Sequence, residues 1–352
     1  MIAFVRGAGS LAALGFISLF VVGCALVSRA QAQPIKVYAT LPDLGSLALA
    51  VGGDEITLTV AAKGPEDAHF VEAKPSLIKA LSEADLYVQA GLELEIGYAP
   101  LLLQGARNAK VLPGNPGFID ASTVIAPLEV PPAPIDRSQG DVHPFGNPHY
   151  LLDPLNGLRV AALIRDRLSA LQPGRRDQYA RRYDDCRQRL AAALAGERLA
   201  GEYDAEQLAV LHEHGKLMDF LSQQGDSAAL AGWLGAMAPY YGTKFVDEHN
   251  LWPYLARRFG LVVAAHLEPK PGIPPALKHL ENVIALVQSE HIKLVVTAPY
   301  YDPKHASLVA RASGAQVVHL AHQTGSVAAA ADYLSMVDYN VRTLAAALAA
   351  GR

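Results

Sequence analysis

The chain has 352 residues, enough for about two domains. Hydrophobic residues make up 51% and charged residues 18%, so it can bury real cores and is not a disordered chain. The net charge is −4, with no basic stripe and no interleaving of aromatic and basic residues, which sets nucleic acid aside as a partner.

The first segment, 1–32, reads as a targeting signal. Arg6 supplies a positive start, "LAALGFISLFVVGCALV" (11–27) an apolar run, and "AQA" (30–32) a cleavage signal before Gln33. "VVGC" (21–24) offers a second outcome, a lipid anchor at Cys24, with small Gly23 in front of it. The apolar run falls short of the ~20 residues a membrane span needs. Both outcomes predict export, with the mature protein periplasmic. Cys186 is then the one cysteine left, so neither an internal disulfide nor a cysteine-based metal cluster is expected.

Residues 33–173 read as a first α/β lobe. Its expected strands are "IKVYAT" (35–40), "EITLTVAA" (55–62), "DLYVQAG" (85–91) and "AKVLPG" (109–114), with helical spacing at 44–53 and 74–84. A proline-dense segment (113–148) follows, and loops of that length in compact domains are usually functional. Residues 174–200 are rich in Arg, Ala, Leu and Gln and read as one long linking helix, ~39 Å if it runs from 174 to 199. A single stiff connector predicts lobes that rock slightly rather than clap shut. Residues 201–352 repeat the scheme, with strands at "KFVDEH" (244–249), "LVVAAHLEP" (261–269), "KLVVTAPY" (293–300) and "AQVVHLA" (315–321) and a helix over 275–291. Alternation of apolar strands with helices predicts two lobes, each with about four parallel strands covered by helices.

"GDVHPFGNPHYLLDP" (140–154) sets His143 and His149 six positions apart with two prolines and a glycine between them. That spacing rules out the helical i, i+4 pair of a metalloprotease and leaves two readings: imidazoles offered to a metal by a loop, or an ordinary polar turn. In open parallel sheets, ligands bind beyond the carboxyl ends of the strands. His69 follows the second strand there, His249 ends "KFVDEH", and Asp302 falls just past "KLVVTA". Three imidazoles and one carboxylate from four segments could meet in a cleft between the lobes. A four-coordinate nitrogen and oxygen set of that kind suits zinc.

The segments "HFVEAKPSLIKALSEADLYVQAGLELE", "GNPHYLLDP", "HNLWPYLARRFGL", "EPKPGIPP" and "APYYD" resemble the substrate-binding proteins of zinc and manganese ABC transporters. The likeness runs from about 35 to 350, with the motifs in the family's order. It implies two lobes, a long backbone helix, and one divalent metal in the cleft, bound as cargo for a membrane permease. Carried over by motif, the ligands fall on His69, His149, His249 and Asp302. Many relatives have a glutamate four residues before that aspartate, where this chain has Ala298. Relatives often carry a His- and Asp-rich loop in the first lobe, and the proline segment here is nearly free of histidine.

The expected function is therefore high-affinity zinc binding and delivery by a monomeric periplasmic protein, not an enzyme. Binding of manganese or another divalent metal, a metal-binding adhesin, and a secreted zinc hydrolase are the alternatives. Four protein ligands would close the site to the water a hydrolase needs, and no H-E-x-x-H is present. The favoured reading of His143 is a turn or a polar residue behind the ligands, its alternative a capture site at the cleft mouth. His212 and His214 alternate, as on one face of a strand, and are expected at the surface or behind the ligands. Histidines 266, 279, 291, 305, 319 and 322 are expected to be ordinary. Glu248 is expected to face away from His249. Asp153 is expected to cap a helix, "EPKPGIPP" to shape a rim, and Trp233 and Trp252 to pack.

Overall fold

The strand–helix alternation folds into two parallel sheets of four strands each. The computed structural model describes residues 33–133, 143–270 and 272–351; the signal segment lies outside them. The first sheet holds β1 (Ile35–Ala39), β2 (Ile56–Val60), β3 (Leu86–Gln89) and β4 (Phe118–Asp120), in the order β2-β1-β3-β4. The second holds β5 (Lys244–Asp247), β6 (Val262–His266), β7 (Leu294–Thr297) and β8 (Gln316–His319), in the equivalent order β6-β5-β7-β8. The strand order reverses between β1 and β3 and between β5 and β7. Such a switch point leaves a crevice beyond the carboxyl ends of the strands.

Thirteen α-helices lie among the described residues. They are α1 (Pro42–Gly52), α2 (Pro75–Ser82), α3 (Ala99–Ala106), α4 (Pro154–Leu171), α5 (Arg176–Ala195), α6 (Glu197–Glu202), α7 (Ala205–Glu213), α8 (Leu217–Gln224), α9 (Gly232–Met237), α10 (Pro253–Arg258), α11 (Leu277–Ser289), α12 (Lys304–Ser313) and α13 (Tyr333–Ala350). In α1, Pro42 opens the first turn, and Leu44, Leu47, Ala48 and Val51 bury one face at helical spacing. α4 starts where expected: the Asp153 carboxylate accepts from Leu155 N at 3.0 Å.

Two sequence expectations shift. The segment "AKVLPG" forms a single 3₁₀ turn at Ala109–Val111, capped by Asn108, and the fourth strand is instead Phe118–Asp120. That strand is three residues long and pairs Val88 with Ile119, so it is too short to show alternation. The long helix begins with a 3₁₀ turn at Pro173–Arg175 and ends at Ala195, about 30 Å of α-helix. Gly196 stops it: its φ is 86°, and a Cβ there would stand 2.8 Å from the Ala231 side chain. α5 still joins the halves, packing against α1 and α4 before it and α7 and α9 after it.

One apolar core runs through both lobes, taking in Leu151, Leu152, Leu251, Trp252 and Tyr254 at their junction. Polar ties cross there too. The Arg258 guanidinium meets the Asp153 carboxylate at 2.8 and 2.9 Å, and Tyr254 Oη accepts from Leu128 N and donates to Asn147 O. Trp233 and Trp252 are buried packing residues. Among the described residues no helix is long and apolar enough to cross a membrane.

Candidate metal centre

The loop after β2 carries His69, the loop after β5 carries His249, and the end of the proline segment carries His149. All three meet between the lobes. One ring nitrogen from each lies within 4.8 Å of the other two. The ring centroids are 5.2 Å apart for His69 and His149, 5.9 Å for His149 and His249, and 6.0 Å for His69 and His249.

Local hydrogen bonds aim the rings. Asp67 Oδ1 accepts from His69 N at 3.0 Å and lies 2.8 Å from His69 Nδ1. Glu268 Oε2 lies 2.7 Å from His249 Nδ1. Each carboxylate accepts a hydrogen bond from Nδ1–H, which leaves the Nε2 lone pair toward the cleft. A carboxylate behind a metal-binding imidazole fixes its tautomer and raises its basicity. His149 is placed by its backbone, whose N–H donates to Asn147 Oδ1 at 2.9 Å. Its Nε2 is buried without a hydrogen-bond partner among the described residues. A buried polar atom left in that state is costly unless something else occupies it.

The electrostatics favour a neutral His149. Burial, followed by the neighbouring His69, His249 and His143, holds its pKa well below the ordinary value of 6.5. Burial opposes ionisation of Asp67, but the hydrogen bond and charge of His69 outweigh it and keep that carboxyl below its usual range. A neutral imidazole at His149, beside two imidazoles each backed by a carboxylate, suits a divalent cation.

Asp302 is not among the three converging residues. It is exposed, and its Oδ1 accepts from Lys304 N at 2.9 Å at the start of α12. His143 stands closer than the sequence suggested: its Nε2 is 3.3 Å from His69 Nε2, and its ring is 6.2 Å from that of His149. With the His69 proton on Nδ1, the His143 Nε2–H is the donor of that pair. Asp67 and Glu268 went unread in the sequence. The D-x-H spacing of "EDAH" was a signal for the first; the second sits nineteen positions from its histidine and had none.

The other histidines divide. His212 and His214 do not lie on a strand. His212 is buried in α7 and His214 is exposed at its end, because the apolar residues around them follow helical spacing. His266 Nδ1 pairs with Asp247 at 2.6 Å, and His305 Nδ1 stands 3.5 Å from Glu248. Burial drives the His322 pKa down to about 4.

The family model of ZnuA, the periplasmic component A of the zinc-uptake complex, matches residues 37–213 and 229–347. The chain belongs to this family. It is a family of transport components that bind a metal substrate, not of enzymes. Curated relatives include the manganese ABC transporter substrate-binding lipoprotein PsaA of Streptococcus pneumoniae, 28% identical over 49% of this chain and 53% of the relative. The same protein of Streptococcus mitis is 30% identical over 47% and 52%. The chain thus spans about half the length of the curated relatives it matches. Among solved structures, a crystal structure of ZnuA superposes with a TM-score of 0.65 at 23% identity, covering 89% of this chain and 99% of that one. A laminin-binding adhesin (Lmb) mutant from Streptococcus agalactiae gives 0.64 at 21% identity, with 89% and 99% covered. At these identities the structural likeness establishes the two-lobe fold.

Proposed function

We propose that this protein is an exported, high-affinity zinc-binding protein that delivers Zn2+ to the membrane permease of an ABC transporter. The observation that carries the reading is the convergence of His69, His149 and His249, with ring nitrogens within 4.8 Å of one another. The three are proposed as ligands. Imidazole nitrogen suits zinc, whereas manganese favours carboxylate and water.

The fourth position has two candidates. Asp302 is the acid implied by the family motif; it is exposed, with its Oδ1 engaged by the Lys304 amide. His143 is already in ring contact with His69 and His149. Those contacts support His143, and a fourth imidazole would strengthen the preference for zinc. Manganese is the second reading, favoured by the names of the curated relatives.

Competitive titration of the mature protein with zinc and with manganese tests the proposal. One tight zinc per chain is expected, with manganese far weaker. Alanine at His69, His149 or His249 should each weaken zinc strongly. His143→Ala should weaken it more than Asp302→Ala; the reverse order would return the fourth position to the aspartate. A tighter manganese site would overturn the zinc assignment.

A further inference from the structure

The loop that presents His69 is held from the other end of the chain. Gln323, only 2% exposed, lies in the segment after β8. Its Nε2 donates to the carbonyl oxygens of Lys63, Gly64 and Glu66 at 3.0, 3.0 and 2.9 Å. His322 Nε2 meets the same Glu66 oxygen at 3.0 Å. One residue on, Thr324 donates through N and Oγ1 to Asp43 Oδ1 at 2.7 and 2.6 Å. The two loops touch backbone to backbone: a Cβ on Gly64 would stand 2.2 Å from the Gly325 carbonyl, so only glycine fits.

The hold continues into the metal centre. Asp67 directly follows Glu66, and its carboxylate fixes the His69 ring. On the other side the His322 ring stands edge-on to Tyr300 at 4.6 Å. Tyr300 lies 4.4 Å from Tyr301, and Tyr301 lies 6.0 Å from His249. Residues 322 and 323 therefore reach the supports of two of the three converging histidines.

We propose that Gln323 is a positioning residue for the metal: by clamping the backbone of residues 63–66 it sets where His69 stands relative to His249, and so sets metal affinity. The proposal rests on the reading of His69 as a ligand. The physical reason is entropic. The segment between β2 and α2 has no helix or strand of its own, so its order must come from contacts outside it. A glutamine amide has two N–H hydrogens and meets three carbonyls here, one of them shared with His322. Without that amide the loop samples more conformations, a smaller fraction of them competent to bind, and the metal must supply the ordering. Removing groups that orient metal ligands typically weakens binding about 10–100-fold.

The test compares Gln323→Leu with Asn108→Leu. Asn108 also clamps carbonyls, donating from Nδ2 to Leu81 O at 3.0 Å and Ala84 O at 2.7 Å, but contacts none of the three histidines. Zinc affinity is read by competition, and cobalt(II) serves as a spectroscopic probe of the same site. Both variants should lower the thermal midpoint. Only Gln323→Leu should weaken zinc, by about 10–100-fold, and alter the visible cobalt spectrum. His69→Ala should then cost less zinc affinity in the Gln323→Leu background than in the parent protein. Gln323→Leu with parental zinc affinity, or strict additivity with His69→Ala, would overturn the proposal. If His69→Ala alone leaves affinity unchanged, it is the ligand assignment that fails. Should Gln323→Leu not fold, Gln323→Asn reads the same quantity, because its amide stops about 1.5 Å short. That variant is expected to bind zinc several-fold more weakly, and unchanged affinity would again count against the clamp.

Discussion

Removing the Asp153 carboxylate should be among the most damaging single changes outside the metal centre. Asp153 and Arg258 form a two-pronged ion pair at 2.8 and 2.9 Å, with side chains 0% and 2% exposed. Asp153→Ala would strand a buried guanidinium, which typically costs about 3–5 kcal/mol. Glu213 lies 3.4 Å from the same guanidinium and retains part of the charge balance, so the lower end, about 3 kcal/mol, applies. The α4 cap is lost as well, for about 1 kcal/mol. The total, about 4 kcal/mol, is a large fraction of the roughly 5–15 kcal/mol that holds a typical domain together. Denaturant unfolding at pH 7, followed by circular dichroism, should show the midpoint falling with little change in slope. Asp153→Asn keeps a cap acceptor and should cost less. Pairing Asp153→Asn with Arg258→Met should cost less than the sum of the two singles, since neither charge is then stranded. A loss below about 1 kcal/mol for Asp153→Ala would refute the reasoning, because the pair would then behave like an exposed salt bridge.

Two further outcomes follow from the site. Burial holds the His149 pKa down, so the folded apo protein binds fewer protons there than the unfolded chain does. The stability this group contributes is complete above the unfolded value of about 6.5 and is lost as pH falls below it. His149 is therefore already neutral at pH 6 in the folded apo protein; an NMR titration of the apo protein in which the His149 ring gains its proton near about 6.5 would contradict the burial argument. Glu268→Gln keeps an acceptor for His249 Nδ1 but removes the charge, and should weaken zinc by about 10-fold, with Glu268→Leu nearer 100-fold. Parental zinc affinity in both variants by isothermal titration would show that Glu268 does not tune the ligand.

Much of the fold was legible because strands buried on both faces must be apolar and helices must not carry prolines inside them. β1 to β3 and β5 to β8 all lie within the apolar runs, and the Asp153 cap was readable from "LLDP" alone. The stop of α5 at Gly196 was not, since a glycine inside a helical pattern is usually tolerated, and here the approach of Ala231 decides the turn. Nor was β4, whose three residues are held by their partner strand rather than by their own pattern.

The candidate site divides along the same line. Sequence by itself determined three things: two parallel-sheet lobes, imidazoles at the strand ends, and the family. Position at a strand's carboxyl end is a local property, and that is why His69 and His249 could be read one at a time. Which groups stand behind and beside them was decided only by tertiary structure. Glu268 reaches His249, His143 reaches His69, and Gln323 reaches the Lys63 and Glu66 carbonyls across 260 and 257 positions of chain. Hydrogen bonds form at about 3 Å whatever the separation along the chain, so these partners become visible only once the two sheets have been packed against each other.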